Sequence, residues 1–404
     1  MSKKKQKKGA RIVAIATRQA NLKRRVRRHL KSLGFKRSEE DGHLIVEGTG
    51  KDVIRALHQA QRNEKLKLNK AFIAEHLPKL AKHFASGSDI DPTKIKPELE
   101  LIQSGTWKSD LFRLAALTWA VPVSNGFGRR LRYLVWDRHN DKLIGLIAIG
   151  DPVFNLSVRD NYIGWGVKAR SERLVNILDA YVLGAIPPYN MLLGGKLVAS
   201  LIRTRDIYCD FTKAYGSLKG IISKKEKNAR LLAVTTSSSL GRSSVYNRLK
   251  LGGIQYFADI GFTRGWGHFH IPDALFFEMR NYLRDLKHKY ADKHRFGQGP
   301  NWRLRTTRAA LTALGFKDDL LKHGIQREVF FCELAKNARR MLRTGKGRAD
   351  LSTLLSAEEV GALAVKRWMA PRAERRPEYR AWLASNIADL LAEKRSMGKV
   401  AEMG

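Results

Sequence analysis

Cysteine is scarce in this sequence. The chain has two cysteines, Cys209 and Cys332, which lie far apart and show no CxxC spacing. A disulfide framework, a zinc finger or an iron–sulfur cluster needs several cysteines at short, regular spacings, so all three are excluded. We therefore expect two reduced, buried thiols, as is typical of a cytoplasmic protein.

Long apolar runs are also absent. The longest, such as residues 143–149, have the length of a β-strand and fall well short of the roughly 20 residues that cross a bilayer. The N-terminal sequence MSKKKQKKGAR carries charge but is not followed by the apolar stretch and cleavage site of a secretory signal. These absences predict a cytoplasmic protein with no membrane partner.

Acidic side chains are outnumbered two to one. The 404 residues include 76 Lys and Arg but 38 Asp and Glu, which leaves a net charge of +38 at pH 7. A compact protein with this much charge of one sign repels itself unless a polyanion neutralises it, and nucleic acid is the polyanion that fits best. Apolar residues make up 43% of the chain, enough for the cores of two or three domains, so this is not a disordered basic tail.

The charge is lopsided in residues 1–84, which hold 23 Lys and Arg against 7 Asp and Glu. Leu22, Val26 and Leu30 follow one another at a spacing of four, which predicts a helix that ends at Gly34. We interpret residues 1–84 as a basic helical module that binds nucleic acid. The basic side chains on the other faces of the helix are Lys23, Arg24, Arg25, Arg27, Arg28 and Lys31.

Composition and periodicity divide the rest of the chain into three parts. Residues 85–108 are rich in turn-forming residues and are expected to be a linker. Residues 109–298 mix strand and helix patterns, which predicts an α+β domain with a mixed sheet and flanking helices. Residues 299–404 are predicted to form a basic, helical C-terminal region. The expected strands are 132–136, 143–149, 175–185, 231–236, 255–262 and 266–271, the first two as a hairpin, and the expected helices of the α+β domain are 194–203, 242–249 and 273–289.

Two glycines stand where the strand 175–185 gives way to a helix. The amides of Gly194 and Gly195, with Lys196, could cradle a phosphate, although tight packing of a strand against a helix is the commoner reason for such a pair. The order of elements over residues 133–269 resembles the GNAT acetyltransferase-like fold. This resemblance implies that Gly194, Gly195 and Lys196 hold the pyrophosphate of acetyl-CoA and that Tyr246 is a general acid.

Acidic and histidine side chains of the same domain raise the question of a metal site. Carboxylates that converge would suit a metal-dependent nuclease or transposase, whereas pairing with nearby Arg side chains would make them structural. His268 and His270 alternate on a predicted strand and so share one face, and we favour a structural or nucleic-acid-facing role for them over metal ligation. We expect no cofactor, with acetyl-CoA or a divalent metal as the alternatives. The candidate carboxylates are Asp151, Asp160, Asp179 and Asp259.

Basic and aromatic residues interleave at several points of the chain. Aromatic planes stack on unpaired bases while Arg and Lys contact phosphates, so this pattern favours single-stranded or distorted DNA over plain duplex. Outside the first helix, the nucleic-acid-binding candidates are Arg129, Arg130, Arg242, Arg264, Arg303 and Arg305.

Four short motifs follow one another along the chain: GRRLRYLV at 128–135, LIAIGD at 146–151, IGW at 163–165 and HGIQR at 323–327. Their order and spacing resemble the bacterial Druantia anti-phage defence protein DruA family. The resemblance implies a component of a multi-gene anti-phage system that works with a helicase-like partner and other defence proteins.

The charge and the resemblance together give our leading hypothesis, a DNA-binding defence component that recognises phage DNA or its structure. Homo-oligomerisation stays open. The alternatives are an acyl-transfer enzyme acting on nucleic acid or protein, and a metal-dependent nuclease or transposase-like enzyme.

Overall fold

A computed structural model describes residues 2–39, 44–46, 51–124, 126–219, 226–268, 270–292, 300–316 and 318–393. The helices are α1 (Ser2–Ser32), α2 (Lys51–Leu68), α3 (Lys70–Leu80), α4 (Trp107–Leu117), α5 (Ser157–Ile163), α6 (Val167–Arg173), α7 (Gly194–Leu201), α8 (Arg205–Tyr215), α9 (Asp273–Asp285), α10 (Pro300–Ala313), α11 (Ala338–Thr344), α12 (Ala357–Ala364), α13 (Ala370–Arg375) and α14 (Ile387–Leu390). The strands are β1 (Phe35–Arg37), β2 (Leu44–Val46), β3 (Pro97–Leu101), β4 (Arg130–Asp137), β5 (Lys142–Gly150), β6 (Ile177–Ala185), β7 (Ser217–Lys219), β8 (Glu226–Asn228), β9 (Ala233–Ser237), β10 (Lys250–Leu251), β11 (Ile254–Gln255), β12 (Ala258–Phe262) and β13 (Glu328–Glu333).

The chain divides into two compact units, each built from segments that are distant in sequence. The first unit joins Met1–His58 to Arg264–Arg327, and the second joins Gln59–Thr263 to Glu328–Gly404. This division differs from the predicted boundaries at 84/85 and 298/299. None of the helices in the described residues is long and apolar enough to span a membrane.

The first unit is built around helix α1. Its apolar stripe, with Leu22, Val26 and Leu30 buried, packs with apolar side chains of α9 and α10 such as Met279 and Leu311. The helix ends where predicted, because Gly34 adopts a left-handed conformation with φ of +78°. It begins earlier than its apolar stripe, at Ser2.

The second unit is built on one mixed sheet. In its described residues, seven strands lie in the order β12-β13-β9-β6-β5-β4-β3, and all neighbours are antiparallel except β6 and β9. Helices α7, α8 and α12 cover one face, while α3 and α4 cover part of the other face and α5 and α11 cover the rest. The predicted α+β class with a mixed sheet and flanking helices is confirmed, as is the predicted hairpin, which β4 and β5 form.

Two parts of the sheet lie where the sequence analysis placed no strand. The expected linker 85–108 contributes the edge strand β3, because Pro97–Leu101 pairs with β4 along its length and the Asp137 carboxylate accepts a hydrogen bond from the Lys96 amide (2.9 Å). The expected helical region 299–404 contributes β13, which lies between β9 and β12 and is buried from Glu328 to Cys332. Neither strand was predicted, because the pairing partners of both lie far away in sequence.

Two further local predictions were wrong. Residues 242–249 form turns rather than a helix, because the Ser243 hydroxyl accepts the amides of Val245 and Tyr246 while the Glu328 carboxylate accepts the Ser243 amide. The segment 266–271, expected as a strand, is a loop in its described residues, and Phe269 lies outside them. Of the two thiols expected to be buried, Cys332 is buried and Cys209 is exposed.

Candidate nucleic-acid interface

Positive charge is unevenly divided between the two units. The first unit has 30 Lys and Arg against 11 Asp and Glu, a net charge of +19 on 122 residues. The second unit carries the same net charge on 282 residues. The charge density of the first unit is therefore more than twice that of the second.

Helix α1 presents exposed cations on the side opposite its apolar stripe. Arg24, Arg28 and Lys31 recur at spacings of three and four, and all three are exposed. None of them forms an ion pair with a carboxylate in the described part of the chain; Arg24 contacts the side-chain oxygen of Asn21. We call these three residues the α1 basic face. Like charges this close repel one another, so the arrangement favours an external anion.

The flanks of α1 are different, because their cations are already occupied. On one flank the Arg25 guanidinium lies 2.6 Å from the Glu278 carboxylate of α9. On the other flank Lys23 and Arg27 lie over the ring of Phe316, at 5.5 and 5.8 Å from its centroid. These predicted site residues contribute to the packing of the first unit as well as to its charge.

Three other predicted cations belong to the first unit. Arg303 is half-buried and already occupied, because it pairs with the Asp273 carboxylate and donates to the Ile271 carbonyl (2.6 Å). Arg264 and Arg305 are exposed. Two of the three are thus placed where a phosphate could reach them.

Of the predicted cations of the second unit, one is paired with a carboxylate and two are exposed. Arg129 donates to the Asp151 carboxylate through its backbone amide (3.0 Å) and its Nε (2.8 Å), and its Nη1 donates to the Val175 carbonyl (2.8 Å). Arg129 is therefore a structural side chain. Arg130 and Arg242 are exposed.

A second basic surface, which the sequence analysis missed, lies on helix α11 and the loop after it. Residues 336–348 contain six Lys and Arg and no Asp or Glu, and that count was the signal that could have revealed it. Helix α11 buries Ala338, Met341 and Leu342, so its intervening side chains point outward. They form no ion pair with a described carboxylate. Arg339 lies over the ring of Tyr162, 5.0 Å from its centroid, and the others have no such contact with a ring of the described residues. We call the exposed set the α11 basic face: Arg339, Arg340, Arg343, Lys346 and Arg348.

Gly194, Gly195 and Lys196 follow β6 at the predicted place and form the first turn of α7. A Cβ atom on Gly194 would lie 2.5 Å from the Tyr189 carbonyl oxygen, so close packing alone requires a glycine there. The ammonium of Lys196 lies 5.5 Å from the centre of the Trp368 ring. Desolvation, and then the charges of Arg367 and Arg248, lower the pKa of Lys196.

Tyr246, the predicted general acid, packs among aromatic side chains. Its ring centroid lies 5.0 Å from that of Phe257 and 5.1 Å from that of Phe330. Desolvation raises the pKa of Tyr246 to about 12, although a hydrogen bond with Thr236 lowers it. A phenol in this environment gives up its proton less readily than a free tyrosine.

The four candidate carboxylates have separate partners. Asp160 accepts hydrogen bonds from Arg159 (2.8 Å), Arg170 (2.7 Å) and the indole of Trp165 (2.9 Å). Desolvation raises the pKa of Asp160, but the Trp165 hydrogen bond and the Arg159 charge outweigh it and hold this pKa below its ordinary value.

The other three carboxylates are held by different groups. Asp151 binds Arg129, Asp259 accepts the Gly261 amide (2.9 Å), and Asp179 accepts the Thr235 hydroxyl (2.8 Å). Among the described residues, no group of three or more His, Cys, Asp or Glu could hold a metal ion.

The two predicted histidines lie in the first unit on a loop, not on a strand. His270 contacts the Leu320 carbonyl through Nε2 (2.9 Å), and its own carbonyl lies 2.8 Å from Nε2 of His29 on α1. Desolvation lowers the pKa of both His268 and His270 to about 4, so both are neutral at pH 7. The contacts of His270 are those of a structural side chain.

Comparison with known proteins gives two matches. A family model described as "DruA: Druantia protein DruA" matches residues 48–344. A curated relative, "Druantia protein DruA" from Escherichia coli (strain UMEA 4076-1), is 65% identical over 381 residues, which cover 94% of each chain. No solved structure matches.

Proposed function

The chain belongs to the Druantia protein DruA family, which makes it a component of an anti-phage defence system, and we propose that its part in that system is to bind DNA. The observation that carries the proposal is the pair of basic faces. Each presents neighbouring exposed cations that no described carboxylate neutralises. Cations arranged in this way repel one another unless an external polyanion acts as their counterion.

The division of the predicted cations supports the same proposal. Arg25 and Arg303 pair with carboxylates and stabilise the first unit, whereas Arg24, Arg28 and Lys31 are exposed and form no ion pair with a described carboxylate. Phosphate contacts of this type fix a protein on DNA without reading base sequence. We propose that the chain recognises phage DNA by its structure and acts with a helicase-like partner of the same defence system.

The test is a mobility-shift titration of the full chain with single-stranded and duplex DNA at several salt concentrations. Binding should weaken steeply as salt rises, because each Lys or Arg that contacts a phosphate releases a condensed counterion. No binding at low salt, or binding that is indifferent to salt, would overturn the proposal. A neutral oligonucleotide analogue without phosphate charges is the matched control and should not bind.

The acyl-transfer alternative has its own test in calorimetry with acetyl-CoA. We expect no heat of binding, because Lys196 lies against Trp368 and Tyr246 lies among aromatic rings. Binding that Lys196→Ala weakens would restore the alternative.

A further inference from the structure

We propose that Trp266 is a stacking platform for an unpaired nucleobase, so that the DNA bound by the first unit is single-stranded or locally unpaired. This inference rests on the proposed function and adds the class of DNA to it. Three observations carry it: the exposure of the ring, the rigidity of its loop and the cations beside it.

The indole of Trp266 is exposed to solvent. Its relative exposure is 45%, whereas large aromatic side chains in folded proteins are mostly buried. No ring or cation of the described residues contacts it. Trp107 of the second unit is equally exposed, at 46%, but its ring is stacked on His83 with centroids 4.8 Å apart. Trp266 therefore offers an open aromatic surface that Trp107 does not.

The backbone holds Trp266 in this position. Gly265 has φ of +64°, and a Cβ atom there would lie 2.8 Å from the Gly324 backbone. The Gly324 amide donates to the Gly265 carbonyl (3.0 Å), and the Gly267 amide donates to the Leu321 carbonyl (2.9 Å). The residues on both sides of Trp266 are thus hydrogen-bonded to one segment. A base that stacks on Trp266 therefore does not have to order this part of the backbone, which favours binding.

Two exposed cations neighbour Trp266, one along the chain and one across a β-bridge. Arg264 is two residues before Trp266 and is exposed, and Lys322 is exposed and paired with Trp266 through an antiparallel β-bridge. An aromatic plane flanked by cations is the arrangement with which proteins bind single strands, because the ring stacks on a base while the cations contact the adjoining phosphates. A base inside an intact duplex cannot stack on an external ring.

The positive charge of the first unit favours a single DNA strand over an apolar protein partner as the ligand of Trp266. The first unit carries +19 on 122 residues, so a ligand that covers Trp266 is held in a strongly positive field. A single strand supplies both the aromatic base and the negative charge.

The experiment measures the dissociation constants of the full chain for a single-stranded oligonucleotide and for the matching duplex by fluorescence anisotropy. Trp266→Ala should weaken single-strand binding by about 5- to 150-fold, the range found for losing one stacked base, and should change duplex binding by less than about twofold. Trp266→Phe keeps an aromatic plane and should retain most of the affinity. Trp107→Ala, the control with equal exposure, should leave both constants unchanged.

Tryptophan fluorescence gives a second readout that loss of fold does not imitate. Stacking should quench the emission of the wild-type protein on addition of single-stranded DNA, and Trp266→Phe should show less quenching at saturation while retaining its melting temperature. Unaltered single-strand affinity in Trp266→Ala, or an equal loss for both forms of DNA, would overturn the inference. If the wild-type protein bound DNA in a salt-dependent manner and Trp266→Ala behaved like it, the stacking inference alone would fail; if the wild-type protein bound no DNA, the proposed function would fail.

Discussion

The α1 basic face allows a test in which two pairs of arginines on one helix are compared. The variant Arg24→Ala/Arg28→Ala removes two exposed cations without an ion pair. The control, Arg18→Ala/Arg25→Ala, removes two cations that pair with Asp285 and Glu278. Both variants change the net charge by the same amount, so a general loss of positive charge affects them equally.

The expected loss of DNA affinity in the test variant can be calculated from counterion release. Each phosphate contact with a single strand contributes about 0.7 to the slope of log K against log salt, so losing two contacts should reduce the slope by about 1.4. If a contact of this type has no effect at about 1 M salt, it strengthens binding about fivefold at 0.1 M, and two contacts strengthen it about 25-fold. The control should lose much less affinity. It should lose at most about 1 kcal/mol of stability per broken pair, because exposed ion pairs are weak.

The assay is fluorescence anisotropy with a labelled oligonucleotide between about 0.05 and 0.3 M salt, a range in which phosphate contacts dominate affinity. The two variants are first compared by thermal melting. Alanine is a good helix former and both Arg24 and Arg28 are exposed, so the test variant should melt at the wild-type temperature. Equal losses of affinity in the test and control variants, or an unchanged slope in the test variant, would refute the assignment of the α1 basic face.

Three further predictions concern the second unit. Arg339→Ala/Arg340→Ala should lower the salt slope by the same amount in the same assay, and an unchanged slope would remove the α11 basic face from the interface. Asp160→Asn should lower the free energy of unfolding, measured with urea, by about 3 to 5 kcal/mol, because it leaves the charge of the buried Arg159 without its carboxylate. The control Asp259→Asn should cost less than about 1 kcal/mol. An Asp160→Asn variant as stable as the wild type would contradict the structural role of Asp160. Desolvation raises the pKa of Asp179 to about 6 from the ordinary 3.8, so the folded state binds the proton of the Asp179 carboxyl more tightly than the unfolded state does. The stability that this protonation contributes is present below about pH 4 and is lost as the pH rises to about 6. Asp179→Asn should flatten that part of the stability profile, and an unaltered profile would show that another group is responsible.

The sequence predicted those elements whose signal is local. The spacing of Leu22, Val26 and Leu30 gives the buried stripe of α1, and Gly34 gives its end, since a left-handed residue there is a property of the glycine itself. The hairpin of β4 and β5 was predictable for the same reason. Its two apolar runs are separated by one short polar loop.

The rest depends on contacts between distant segments. Strand β13 pairs with β12 across the 65 residues that separate Phe262 from Glu328, and no local pattern reveals such a partner. The turns at 242–249 depend on the Glu328 carboxylate, which arrives from β13 and accepts the Ser243 amide. Both features required the tertiary fold.

The candidate site was predictable in charge but not in pairing. Composition placed cations at Arg25, Arg28 and Arg129 alike, yet Glu278 and Asp151 occupy two of them and leave Arg28 exposed. Which cation meets a carboxylate depends on the packing of separate elements. The sequence therefore indicated a polyanion ligand before the structure indicated which side chains are available to contact it.

Lysine footprinting tests the central claim most directly, because it measures which cations DNA covers. The full chain is treated with an amine-reactive acetylating reagent with and without a saturating oligonucleotide, and modification is quantified by mass spectrometry. The account predicts that DNA protects Lys31 and Lys346, while Lys94, which is exposed but paired with Asp91 at 3.2 Å, reacts equally in both samples. Equal reactivity of all three lysines with and without bound DNA would contradict it.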